Sequence, residues 1–138
     1  MTTTTELLAD LHTRIRALPA AAAYAIKVWD EPTTTLPELI VIPRNQTPTT
    51  LDPGGPAELE LEVTIRHNPK TYKQFVRDTD TSDPSGLLGQ LYRMEPDDYH
   101  IGWAADTPRM PIDGLEGRTR IGYQMTTAAT ITTTPPTR

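Results

Sequence analysis

From Glu58 to Ile65 the chain reads Glu-Leu-Glu-Leu-Glu-Val-Thr-Ile, with polar and apolar residues in strict alternation. Successive side chains of a β-strand point to opposite faces. Leu59, Leu61, Val63 and Ile65 therefore belong to one face, and Glu58, Glu60, Glu62 and Thr64 to the other. A slip of one residue would bury three carboxylates, so the register of any sheet built on this segment is firm. The fold has to supply a sheet with one apolar, covered face and one acidic, wet face.

Helices are the natural cover. Leu7, Leu8, Leu11, Ile15 and Leu18 share one helical face. They follow Thr3-Thr4-Thr5-Glu6, the spacing of a capping box in which Thr3 caps and Glu6 reaches back. Asp10 and Arg14 form an i,i+4 pair in the favourable order, and Pro19 stops the helix at Leu18. A short second helix is expected to carry Leu87, Leu88, Leu91 and Met94, opened by Asp83 or Ser85 and ended by Pro96.

Tyr24 to Trp29 reads as a first strand, and Leu36 to Ile42 as a second. Pro37 and Pro43 give the second an edge position or irregular ends. Asp52-Pro53-Gly54-Gly55-Pro56 is a turn cluster, and Pro108 to Gly117 reads as a turn-rich connector. Tyr99 to Ala105 and Arg118 to Ile131 read as the last two strands. Tyr72, Phe75 and Val76 fit a helix or a strand equally. The predicted order is helix, three strands, a helical middle and two strands. That is an α+β fold, a mixed or antiparallel sheet of about five strands packed against an N-terminal helix and a short second helix. Residues 1–131 are expected to form a single domain, with 132–138 a Thr/Pro-rich C-terminal arm.

Such a core is lean. The hydrophobic fraction is 36 %, Phe75 is the only phenylalanine, and 14 prolines favour short strands joined by stiff loops. A chain of this kind gains from oligomerisation or a partner surface. The net charge of −5, with no two Lys or Arg adjacent, excludes a basic stripe for gripping nucleic acid. With no cysteine there is no disulfide, thiolate nucleophile or Cys-based zinc site. No apolar run approaches the roughly 20 residues of a membrane span. No secretory leader opens the chain, so the expectation is a cytoplasmic protein, or one released within an assembly.

Chemistry is sparse. His12, His67 and His100 share no ligand spacing and are read as surface or turn histidines. Asp97-Asp98 beside His100 suggests acid/base work, but no nucleophile motif accompanies it, and a solvated turn accounts for it. Gly86-Leu87-Leu88-Gly89 and Gly54-Gly55 lack the Lys-Ser/Thr of a phosphate loop and are read as turn and helix-start glycines. Trp29 and Trp103 suit a core or an interface. No catalytic residue, metal ligand or cofactor is expected.

The pattern resembles the tail-terminator proteins of long-tailed phages. The similarity lies in the opening helix Thr3 to Leu18, the strand Tyr24 to Trp29 and the Pro-flanked Leu36-Pro37-Glu38-Leu39-Ile40-Val41-Ile42. It continues through the alternating Leu59 to Ile65 strand and the closing Arg118-Thr119-Arg120-Ile121-Gly122-Tyr123-Gln124-Met125. The family's second helix is usually longer than the glycine-containing 83–94 segment here. The resemblance implies a virion protein, assembled in the host cytoplasm as a hexameric ring. The ring caps the tail tube, ends its polymerisation and meets a head–tail connector protein, while DNA passes through without specific binding. Another neck component, such as a tail-completion or connector subunit, or a small monomeric protein-binding module, are the alternatives.

On such a ring Glu58, Glu60 and Glu62 are expected on the lumen wall, where carboxylates repel DNA phosphates, although the wet face of a sheet explains them more simply. Arg66, Lys70, Lys73 and Arg77 lie just downstream, where a neighbouring subunit's acids could meet them, although a solvated hairpin accounts for them more simply. The termini, Thr2, Thr3 and Thr4 with Thr132, Thr133, Thr134, Pro135 and Pro136, are the expected inter-subunit arms.

Overall fold

The computed structural model describes residues 4–28, 36–48, 57–97, 99–104, 110–113 and 120–133. The first helix, α1, spans Thr4–Arg16 and buries Leu7, Leu8, Leu11 and Ile15. Each such side chain taken out of water contributes about 1.5–3 kcal/mol. Thr3, the expected cap, lies outside the described residues. A 3-10 turn over Pro19–Ala23 leads into β1 (Ala25–Val28).

Two long strands follow, β2 (Glu38–Pro48) and β3 (Ala57–His67). The helical middle comprises α2 (Tyr72–Asp78) and α3 (Leu87–Tyr92). Then come β4 (Tyr99–Trp103), β5 (Met110–Asp113) and the longest strand, β6 (Arg120–Thr133). The sheet order is β1-β2-β3-β6, with β4 and β5 both paired to the far edge of β6. Among the described residues only the β1–β2 pair is parallel, so the sheet is mixed and the fold is α+β.

The alternation of β3 is realised in full. Leu59, Leu61, Val63 and Ile65 are buried, while Glu58 and Glu60 are exposed. β6 repeats the pattern, with Met125, Thr127, Ala129 and Ile131 buried and Ala128 exposed. These inward residues share one core with Leu7, Leu8, Leu11 and Ile15 of α1, Phe75 of α2, and Leu87, Leu88 and Leu91 of α3. All three helices thus cover the same face of the sheet.

Several expectations need correcting. The connector over 108–117 contains a strand, because Met110–Asp113 pairs with the start of β6. The last strand runs on to Thr133, so Thr132 and Thr133 are sheet residues, paired with Glu58 and Tyr99. β2 is not an edge strand over Glu38–Val41, where it is flanked on both sides, but it does have the irregular end expected from Pro43. Beyond Val41 β1 no longer pairs with it, and Pro43 sits at a register shift, where its missing N–H costs no ladder bond to β1. Residues 72–78 are helical because Phe75 has to reach the core.

His67 is a core residue, 1 % exposed, rather than a surface or turn histidine. Its ring meets Tyr24 edge-on and leans on Phe75, and its Nδ1 pairs with Thr71 Oγ1. Neither Asp83 nor Ser85 caps α3. Asp83 instead accepts hydrogen bonds from the backbone and hydroxyl of Ser85. The helix start is held by Asp78, whose Oδ1 accepts the Leu87 N–H. The glycines around it have a packing reason. A Cβ at Gly86 would stand 2.2 Å from the Arg77 carbonyl oxygen, and one at Gly89 2.0 Å from that of Asp83.

Candidate functional site

The face of the sheet turned away from the helices is the candidate site. Strand parity places Glu58, Glu60, Glu62, Thr64 and Arg66 there from β3. Directly opposite on β6 stand Thr132, Thr130, Ala128, Thr126 and Gln124. β4 adds His100 and Gly102, across from Thr132 and Thr130. On the β6 side, Glu58, Glu60 and Glu62 thus face Thr132, Thr130 and Ala128, with Gly102 and His100 of β4 beyond. A shallow hollow of about 510 Å³ lies over β6, bounded by Arg44, Glu60, Glu62, Thr126, Ala128 and Thr130 among others.

Charge is graded along this face. At one end Glu38 is fully buried between Lys27 (2.9 Å) and Arg66 (2.7 Å), forming an ion triad across β1, β2 and β3. Next along, Glu62 is half-buried and accepts from the Arg44 guanidinium, Nε at 2.8 Å. Beyond it Glu60 and Glu58 are exposed. The three rungs of the ladder are therefore not equivalent, and the acidic surface is concentrated at the Glu58–Glu60 end.

The cations that sequence grouped together are also divided. Arg66 is taken by Glu38, and Arg77, though exposed, pairs with Asp78 at 3.3 Å, whereas Lys70 and Lys73 are exposed. Lys73 and Arg77, four residues apart on α2, border an open hollow of about 600 Å³ with Thr71, Gln74 and Val76. Among the expected arms, Thr4 is the first residue of α1, and Thr132 and Thr133 belong to β6. Thr2, Thr3, Thr134, Pro135 and Pro136 lie outside the described residues.

Two further polar groupings hold elements together. Tyr24 donates its hydroxyl hydrogen to Asp78 Oδ2 at 2.7 Å, tying the end of the 3-10 turn to α2. Burial and that bond both push the Tyr24 phenol upward. Tyr99 donates to Asp10 at 2.8 Å, joining β4 to α1. The Arg14 guanidinium, bonded to Asp10 at 2.7 Å, holds that carboxyl below the usual range. Burial depresses His67, whose Nε2 has no hydrogen-bond partner among the described residues.

A hollow of about 400 Å³ brings His100 and Asp97 to one wall with Glu95, Tyr92 and Tyr99; Asp98 lies outside the described residues. All three of His100, Asp97 and Glu95 are exposed, and among the described residues the lining supplies no serine, threonine or lysine nucleophile. Among the described residues, no group of three or more His, Asp or Glu is placed to share a metal ion.

Sequence reading missed the Glu38 triad and the Tyr24–Asp78 bond. A signal for the first was present, since Lys27 and Glu38 are single opposite charges inside two neighbouring apolar runs. No described helix is long and apolar enough to cross a membrane. Neither a protein-family model nor a curated protein sequence matches the chain.

Proposed function

We propose that this chain is a structural assembly subunit of a phage tail or neck, of the tail-terminator kind, rather than an enzyme. It forms a hexameric ring that caps the tail tube, ends tube polymerisation and offers the surface to which the head–tail connector attaches. It assembles in the host cytoplasm and remains in the virion, and DNA passes through without specific binding.

The observation that supports this reading best is the one-sided sheet. Helices cover one face, while over β3 and β6 the other leaves a polar surface around the exposed Glu58 and Glu60; toward β2 that face is closed, with Glu38 and Ile40 buried. A shallow polar surface of that kind suits contact with another protein surface better than it suits a small substrate.

In such a ring the ladder has two available places. It can line the lumen and repel DNA phosphates, or it can meet the neighbouring subunit. Glu62, bound to Arg44, is already compensated, which weakens the lumen role and favours the second place.

The test is disruption of the gene in the genome that carries it, with electron microscopy of the lysates. Overlong, headless tails are expected. Tails of normal length that fail to join heads would move the chain to another neck role. Normal virions would leave the monomeric binding module and contradict the proposal.

A further inference from the structure

We infer that residues 69–78, a 3-10 turn followed by α2, form an acid-released flap: a proton taken up at His67 Nε2 lifts them from the sheet while β3 stays paired with β6. The inference is independent of the ring reading above.

The hydrogen bonds around His67 fix where the proton goes. The Lys70 N–H donates to Asn68 Oδ1 at 3.0 Å. Thr71 Oγ1 stands 3.0 Å from the same oxygen, and two oxygens that close need a hydrogen between them, so the hydroxyl donates to Asn68. Thr71 therefore meets His67 Nδ1 as an acceptor, and Nδ1 carries the ring hydrogen. Nε2 is left as a lone pair, buried and with no hydrogen-bond partner among the described residues. A proton added there makes the ring a cation whose new N–H has no acceptor, a form that burial disfavours.

The groups around the ring do not relieve that cost. From α2, the Asp78 charge favours the cation and the Arg77 charge opposes it. Asp78 is already engaged, accepting from the Tyr24 hydroxyl, the Leu87 N–H and Arg77 Nε. Tyr123 stands opposite His67 across the β3–β6 pair, and Asn68 and Thr71 are uncharged.

α2 is the element that yields. Seven residues are too few for a stable helix on their own, so α2 depends on what it buries. It buries Phe75 and Asp78. The Phe75 ring leans on His67 with centroids 6.2 Å apart, and Asp78 is held by Tyr24, whose ring meets His67 edge-on at 5.4 Å. Both anchors thus run through the rings packed on His67. Tyr72 and Phe75 also rest on Tyr123, which keeps the flap closed while His67 is neutral. Lifting the flap admits water to Nε2 and leaves His67 in its ladder with β6.

The experiment is hydrogen exchange on the full wild-type chain at about pH 7.5 and about pH 5.5, read amide by amide and corrected for the intrinsic rate at each pH. Amides of 76–79 are expected to exchange through a local opening, less protected than those of 59–65 and 125–131 and almost insensitive to low urea. Their protection falls by up to about tenfold between the two conditions, the limit for one proton bound by a histidine of ordinary pKa in the open form. His67→Phe loses that fall. The nitrogen shifts of the wild-type ring, which need no variant, show the Nδ1–H tautomer and a titration below about pH 6.5.

Amides of 76–79 that share the protection and urea dependence of the strands overturn the inference, because the segment then leaves only with the whole fold. Protection that does not change with pH overturns it as well, as does a fall that persists in His67→Phe or a ring that titrates like a free histidine.

Discussion

Glu38 stands directly opposite Arg66 across the β2–β3 pair, and its fully buried carboxylate accepts from Arg66 at 2.7 Å while Lys27 meets its second oxygen at 2.9 Å. One acid thus fastens three adjacent strands, including the parallel β1–β2 pair. Neither cation is more than 16 % exposed. Glu38→Ala leaves two nearly buried positive charges without their counter-ion and is expected to cost about 3–5 kcal/mol, read by urea unfolding. A cost under about 1 kcal/mol would mean that solvent reaches this corner far better than the geometry indicates.

Tyr24 and Asp78 provide a second staple. Tyr24→Phe removes the hydrogen bond to Asp78 and is expected to destabilise by roughly 1.5–3 kcal/mol, the range for hydrogen bonds to charged groups. The pH dependence has a definite sign. Tyr24 titrates higher folded than unfolded, so its contribution is complete below about pH 10 and declines as pH rises beyond it. Alkaline melts of the wild type should therefore steepen relative to Tyr24→Phe, and parallel curves would contradict the assignment.

His67 gives the opposite behaviour at the acid side. Burial lowers its folded pKa, assisted by Arg77 and opposed by Asp78. Above about pH 6.5 it is neutral in both states. As pH falls below that, the unfolded chain takes up a proton that the folded chain resists, and stability declines. His67→Phe should flatten the stability curve between about pH 6.5 and pH 5, and Thr71 keeps Asn68 as a partner in that variant. An unchanged slope would place the acid sensitivity elsewhere.

How much of this was legible beforehand depended on period. The two-residue alternation at Glu58–Ile65 identified a one-sided sheet because burial enforces it along the whole strand. The leucines of α1 did the same at helical spacing. His67 was misjudged because it ends the strand beside Asn68-Pro69, although its parity with Leu59 to Ile65 pointed to the covered face, where Phe75 and Tyr24 pack on it. The strand at Met110–Asp113 was missed because Pro111 and flanking glycines read as a turn, and pairing with β6 overrides that local preference. The open face was legible from parity alone, whereas the compensation of Glu62 by Arg44 needed the β2–β3 register and the shift near Pro43.

The helix start at α3 offers a direct check on packing. Gly89→Ala places a methyl group 2.0 Å from the Asp83 carbonyl oxygen, and the backbone has to move to admit it. Although alanine is the better helix former, the variant is expected to lose about 1–3 kcal/mol by thermal or urea unfolding. A gain in stability, as helix propensity alone would give, would contradict the close approach.

The most direct measurement of the central claim is the mass of the purified chain over a rising concentration series, with negative-stain images of the same samples. The account predicts a discrete ring of identical copies, a hexamer, with a central hole near the width of duplex DNA. A monodisperse monomer at every concentration, with no closed particles in the images, would contradict it.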